Sequence, residues 1–562
     1  MGGQPSFGLQ LLAGLGRATG AALKAEWRRT PLHHMQLSTI SPNEIAPPRI
    51  RKPRDAQAGQ AIFAGKITLR GETLPVPDGG TPWDRACPSR GFAEVLHSFS
   101  WLKDLIVVGD DGAKLAQDWV EAWITEFGTW NTFAFAPHLI ATRLMNWLDT
   151  ADVTLTTPTA RLSFARQTRH LTHSISDLKG PQALRAHVVL PIAIAVVQGP
   201  GKRLSKALHR LDRQLKATVL PDGFTLDRNP TTMLEVLQAL LVLQEQLAIL
   251  GLELSEAQAR ALASIAPALR FFQQGDGGLF GFQGGNAQSP ALVRTVLQAA
   301  KVQDTPVFSV APHAGYHRAM AAGGILMLDS GQVPPPVYTT QAHASALAFE
   351  YSYKARRIFV NCGHGRDGEW EDVSRLTPAH STLTPDDQSQ GQLVRVGWMR
   401  RVLGARLVGG PPHPLIRREE DGQETWLEGT HDAFSKRLGF THARRIYMAA
   451  TGDDLRGEDT ILWDRSSGSV PVIIRFHLHP SVTATMARDG RSVLLVDAEE
   501  AGWRFRADAR DVAIEPSIYF GADGKPQKTE QIVLRNQARA SAPPGDPDNC
   551  VRWALQLGTG MA

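Results

Sequence analysis

A chain of 562 residues exceeds what one hydrophobic core ordinarily serves, so two or more domains are expected. With 43% hydrophobic and 20% charged residues it has a globular composition, and no uninterrupted apolar run approaches the roughly 18 residues that span a bilayer, so a soluble chain without a transmembrane segment is expected. Three cysteines, Cys87, Cys362 and Cys550, exclude a disulfide framework, and a net charge of +5 without a dense basic run or a nucleic-acid motif favours an acidic partner such as an anionic polysaccharide over nucleic acid.

The N-terminal stretch "MGGQPSFGLQLLAGLGRATGAALKAEWRRT" has no basic residue ahead of its apolar part and no small-residue cleavage site, which makes a poor secretory signal. A cytoplasmic location is the default, and a periplasmic or membrane-peripheral one stays open. Leu11, Leu12, Leu15 and Ala22 set against Arg17, Lys24, Arg28 and Arg29 would also suit an amphipathic helix lying on a membrane or partner. Residues 1–89 read as an extension or linker.

From residue 90 to about 275 apolar residues recur at helical spacing, as in "AKLAQDWVEAWITEFG" and "TTMLEVLQALLVLQEQLAIL". Prolines and glycines fall between these segments, apart from Pro191 and Pro267, so antiparallel helical hairpins wound into a bundle or toroid are expected over 90–300. Beyond "GDGGLFGFQGGNAQSP" the pattern becomes β-branched and alternating, as in "RRIFVNCG" and "VPVIIRFHLHP", which predicts sheet over 301–540. Helices in one block and strands in the next indicate an α+β chain of two domains. Residues 541–562 read as a loosely packed tail.

One stretch carries chemistry. "TTQAHASALAFEYSYKARRIFVNCGHG" reads as a hairpin, with Gln341 and His343 on one strand face and Ala342, Ala344, Ala346 and Ala348 on the other. A turn near Tyr351–Lys354 would return Asn361 to the neighbourhood of His343. His380 in "RLTPAHSTLTPDD" is a third polar candidate. Imidazoles and a side-chain oxygen are zinc ligand types, and hydrogen-bonded core histidines are the alternative. Arg228 and Asn229, ahead of Pro230, could hold a uronate or sulfate, or cap a loop. Tyr316 and His317, the His431–Asp432 pair, and Arg475, His477 and His479 on one strand face are further candidates, each with a packing or solvated-face alternative.

"AHASALAFE", "RRIFVNCG" and "PAHSTLTPDD" together resemble the β-domain signature of the heparinase II/III family of polysaccharide lyases, and "VLPDGFTLDRNPTTM" resembles a segment of its helical domain. The resemblance spans roughly residues 90 to 535. It implies an (α/α) toroid followed by an antiparallel β-sandwich, and β-elimination on a uronic-acid-containing glycan bound between them. Such chemistry must neutralise the uronate, remove the adjacent proton and protonate the leaving oxygen. It also implies a structural Zn2+ set, which maps onto His343, Asn361 and His380, an amide standing where the family has a carboxylate. The catalytic sandwich histidine maps onto Gln341, the toroid tyrosine onto Thr232, and the Asn-His pair falls near Gly180 and Pro181; glutamine cannot act as a proton-transfer base. With Arg228 supplying charge and Asn229 and Gln341 touching substrate, the resemblance implies a lyase. A catalytically impaired relative that binds an acidic glycan or assists envelope polysaccharide assembly is the alternative. The sequence sets neither the glycan nor the oligomeric state.

Overall fold

The computed structural model of the chain describes residues 7–558, apart from 38, 43, 304, 367, 412, 413 and 523. It divides into two compact units, and each matches one block of the sequence pattern: helices first, antiparallel sheets second. This is the α+β arrangement of an (α/α) toroid and a β-sandwich.

The first unit comprises Met1–Val219, Thr232–Ala266 and Thr295–Lys301. Its helices follow from the spacing of their apolar residues. In Lys202–Thr218 the residues Leu204, Ala207, Leu211 and Leu215 share the buried face, and lysines and arginines take the other. Gly180–Gln198 and Pro230–Ile249 are long and apolar enough to cross a bilayer, yet both are mostly buried inside the unit as core helices. A buried arginine, Arg143, lies over the rings of Trp123 and Phe99, and its donors reach Gln167 Oε1 at 2.7 Å, the His97 carbonyl at 2.8 Å and the Ala134 carbonyl at 2.5 Å. The first 89 residues are not merely a linker. They contribute a helix, Ala56–Phe63, and a hairpin, Lys66–Leu69 with Glu72–Pro75, and bury Ile62, Ile67 and Leu74. Gly59 permits this packing, since a Cβ there would lie 2.0 Å from the Asp104 carbonyl oxygen. The helix Phe7–Arg28 is tied down by Lys24 and Arg28, both 2.5 Å from Asp177. Of its expected apolar set Leu15 and Ala22 are exposed, and the side chains of Leu12 and Arg17 lie outside the described residues.

The second unit comprises Leu220–Thr231, Pro267–Arg294 and Val302–Ala562. Among the described residues it holds a nine-stranded and an eight-stranded antiparallel sheet. They pack through one core that includes Phe349, Phe359 and Phe476 from the first and Phe440, Trp503 and Trp553 from the second. Two expectations need correction. Residues 541–562 are no tail throughout: Cys550–Leu557 is an interior strand of the eight-stranded sheet, between Asp454–Trp463 and Gly502–Ala507. The expected strand through 341–349 begins only at Phe349. Ahead of it, side chains take the place of a partner strand: Arg375 donates to the carbonyls of Thr339 and Ala342, and Gln390 bonds both the N–H and the carbonyl of Ala346. Residues 342–350 are therefore buried on all sides instead of alternating.

Candidate functional site

Of the candidate residues of the second unit, Arg228 pairs with Asp329, the last residue of the strand Gly324–Asp329, and His343 joins it through Gln283. The Asp329 carboxylate accepts from the Arg228 guanidinium, from Ser345 Oγ at 2.7 Å, from Gln283 Nε2 at 3.0 Å and from the Gly331 N–H at 3.0 Å. Arg228 is buried and held in the left-handed region, with φ of 59°. Besides Asp329 it donates to the carbonyls of Ala314 at 2.6 Å, Gln332 at 3.2 Å and Gly315 at 3.3 Å, so four of its five N–H donors are spent. It also stacks 4.5 Å from the Tyr316 ring centroid, while the Tyr316 hydroxyl donates to the Arg228 carbonyl. Burial pulls the guanidinium pKa down, but Asp329 and its neighbours outweigh this and hold it above the ordinary arginine value. Gly331 makes the cradle possible, because a Cβ there would sit 2.0 Å from the guanidinium.

From this hub the network runs to the histidines. Gln283 accepts the His343 N–H at 3.0 Å. His343 Nδ1 lies 3.0 Å from His380 Nε2, and His343 Nε2 lies 3.2 Å from His364 Nδ1. His380 Nδ1 is 2.9 Å from the Leu376 carbonyl, which can only accept, so the proton sits on Nδ1 and Nε2 offers a lone pair. The same logic makes His343 donate through Nδ1 and accept through Nε2, a one-way chain from His364 to Leu376. Burial lowers the His380 pKa to about 4 and that of His343 well below its usual value, with His380 and His364 adding to the second effect. Both rings are neutral near pH 7.

The sequence brought His343 and His380 together correctly, but Asn361 takes another direction. Its Nδ2 donates to the buried Glu350 at 3.1 Å, and its Oδ1 accepts from the Ser381 N–H at 3.0 Å. The implied zinc set does not fit this arrangement. The imidazole lone pairs are matched one to one with ring N–H groups, and the Asn361 oxygen is committed to a backbone amide. Among the described residues no group of three or more His, Cys, Asp or Glu side chains is arranged to hold a metal ion.

Asn229 accepts the Thr231 N–H at 2.8 Å and so caps the helix that opens with Pro230. Gln341 is half-buried, and its carbonyl passes Gly284 so closely that a Cβ there would lie 2.9 Å away. In the first unit, Thr232 is buried and accepts from Arg185 at 3.0 Å. Tyr316 packs among Phe224, Phe272 and Phe282. His431 does not pair with Asp432; it meets His442 at 3.2 Å, which in turn meets Asp459 at 2.8 Å. Arg475 pairs with Asp387, His477 with Ser517 and His479 with Ser481. Sequence reasoning missed Asp329, Gln283 and His364, although "LDSG" closing a strand and the glycines around Gln283 signal a tightly turned polar loop.

The sequence profile described as "Heparinase II/III-like, C-terminal" matches residues 303–554. FtsZ-localized protein C of Caulobacter vibrioides (strain NA1000 / CB15N) is 36% identical over 559 residues, covering 96% of this chain and 94% of that one. The chain belongs to the heparinase II/III family. Solved structures with the family fold include Heparinase III, at a TM-score of 0.64 and 13% identity over 97% of this chain and 90% of that one. A mutant of heparan sulfate lyase HepC from Pedobacter heparinus matches at a TM-score of 0.55 and 14% identity, over 98% and 90%. At such identities these structures speak for the fold. The positions onto which the resemblance mapped proton-transfer groups hold Gln341 and Thr232.

Proposed function

We propose that this protein is a heparinase II/III-family chain that has lost β-elimination and acts in association with FtsZ polymers. The observation that carries the first half is the set of groups at the expected catalytic positions. The Gln341 amide neither takes nor gives a proton near neutral pH. The Thr232 hydroxyl is occupied by Arg185, and the Arg228 cation is neutralised by Asp329 instead of awaiting a uronate. A lyase needs a charge sink, a base and an acid, and none of these three positions supplies one. The second half rests on the relative whose name places it with FtsZ, which aligns along nearly the whole of both chains.

Purified protein is incubated with heparin, heparan sulfate, chondroitin sulfate and alginate while the ultraviolet absorbance of the unsaturated product is followed, and in parallel it is sedimented with FtsZ polymers. No absorbance gain and co-pelleting that depends on polymerisation are expected. Product from any of these polymers would restore the lyase reading, and protein left wholly in the supernatant would remove the FtsZ half.

A further inference from the structure

The outer face of the eight-stranded sheet carries a broad, open depression of about 640 Å³, built entirely by the second unit. The strand register assembles it. Trp426 lies opposite Tyr447, Tyr447 opposite Arg456, Arg456 opposite Ala554, and Ala554 opposite Arg506, so one continuous row crosses five strands. Trp426 and Tyr447 form a half-exposed aromatic end, with ring centroids 4.8 Å apart and planes at 44°. Ala554 and Ala507 keep the floor shallow between them and the arginines. The next row brings Arg445 and Arg552 to the same face, on either side of Glu458.

Two of the four arginines are spent on carboxylates of the same face. Arg552 is paired with Glu458 at 3.0 Å and lies 3.8 Å from Asp508, and Arg456 is paired with Asp454 at 2.7 Å. The side chains of Arg445 and Arg506 are exposed and make no ion pair or hydrogen bond among the described residues, Arg445 lying opposite Glu428 and Glu458 in the register. Asp454, Glu458 and Asp508 engage Arg456 and Arg552, which leaves Arg445 and Arg506 as the guanidinium groups on the rim without an ion pair.

We propose that this depression is a binding site for an acidic oligosaccharide. A pyranose ring presents a flat array of C–H groups that rests on Trp426 and Tyr447, whose π faces are electron-rich. A carboxylate or sulfate on the same or the next sugar then meets Arg445 or Arg506, whose planar forks match such oxyanions in two hydrogen bonds. The volume lies within the range of ordinary ligand sites. An acidic peptide suits the face less well. The strands that line it are interior to the sheet, hydrogen-bonded on both sides, so no backbone edge is on offer. The site is separate from the Asp329 network and does not depend on whether elimination is retained.

The test is titration calorimetry of the full chain with size-defined heparin oligosaccharides and oligogalacturonates, with poly-L-glutamate as the peptide probe. Trp426→Ala and the double variant Arg445→Glu/Arg506→Glu are each expected to weaken saccharide binding ~10-fold or more, with unchanged unfolding midpoints because these side chains sit outside the core. The exposed double variant keeps the test decisive if loss of the indole disturbs the strand pair. Absence of binding by every acidic saccharide, or binding untouched by both variants, overturns the proposal. So does poly-L-glutamate binding as tightly as the saccharides and insensitively to Trp426→Ala, which would make the face an acidic-peptide surface.

Discussion

Replacing Arg228 by alanine separates a solvent-facing anion anchor from a structural arginine. The sequence alone expects this change to weaken anion binding and spare the fold. The structure reverses the expectation, because the side chains of Arg228 and Asp329 are only 5% and 1% exposed. Removing one partner of such a buried pair costs ~3–5 kcal/mol, chiefly because the other charge stays behind without its counterion. Asp329 would keep Ser345, Gln283 and the Gly331 N–H, which places the loss toward the lower end, but the carbonyls of Ala314 and Gln332 would also lose their donor, while that of Gly315 keeps Ser330. With a urea dependence of about 2 kcal/mol per molar, a loss of this size moves the midpoint of the second unit down by roughly 1.5–2.5 M. Midpoints are the proper readout, since a chain of two units need not unfold in one step. Arg228→Lys keeps a charge beside Asp329 but cannot span the three carbonyls, so an intermediate shift is expected. An unchanged midpoint in Arg228→Ala, together with reduced affinity for an anionic oligosaccharide, would refute the reasoning.

His97 supplies a pH test: burial first, and then Arg143, lower its pKa from 6.5 to about 3. The unfolded state thus binds the proton more readily, so the stability held by neutral His97 is full above pH 6.5 and is lost as pH falls toward 3, by up to about 4 kcal/mol. His97→Asn, which can still accept from the Trp123 indole N–H, should flatten that acid limb in urea titrations; an unaltered slope would show that His97 titrates normally. Protein purified without chelator should contain well under one zinc per chain by elemental analysis, and a stoichiometric ion would displace the histidine hydrogen-bond chain described above. Gly457→Ala should destabilise the second unit by ~1–3 kcal/mol, since the new methyl would meet the Trp553 ring at 2.1 Å, and a wild-type melting temperature would contradict that packing.

The large features were legible because they rest on periodicity. The spacing of Leu204, Ala207, Leu211 and Leu215 specifies a helix with one buried face, and the β-branched run at 470–474 specifies a strand, whichever neighbours they meet. The alanine row at 342–348 misled because alternation assumes a partner strand, whereas Arg375 and Gln390 supply the hydrogen bonds from elsewhere in the chain. Arg228 shows the same limit. A cation ahead of a proline reads as surface, and its counterion lies 101 residues away at the end of a strand. The meeting of His343 and His380 was legible through the family resemblance, but the third member, His364, was not, because it follows Gly363 in a loop whose left-handed backbone, φ of 78°, only the fold reveals.

The strand Cys550–Leu557 has a consequence for how the second unit is made. Without it the eight-stranded sheet is two separate ribbons, four strands from Leu415 to Trp463 and three from Thr483 to Ala507, with no direct pairing between them. During synthesis both ribbons emerge with an open edge at what becomes the middle of the sheet, and they wait for roughly 40 further residues before the closing strand arrives. A nascent chain stalled or cleaved before residue 550 is therefore not a nearly finished protein but two unclosed half-sheets, each offering its bare edge to the other ribbon of a neighbouring chain.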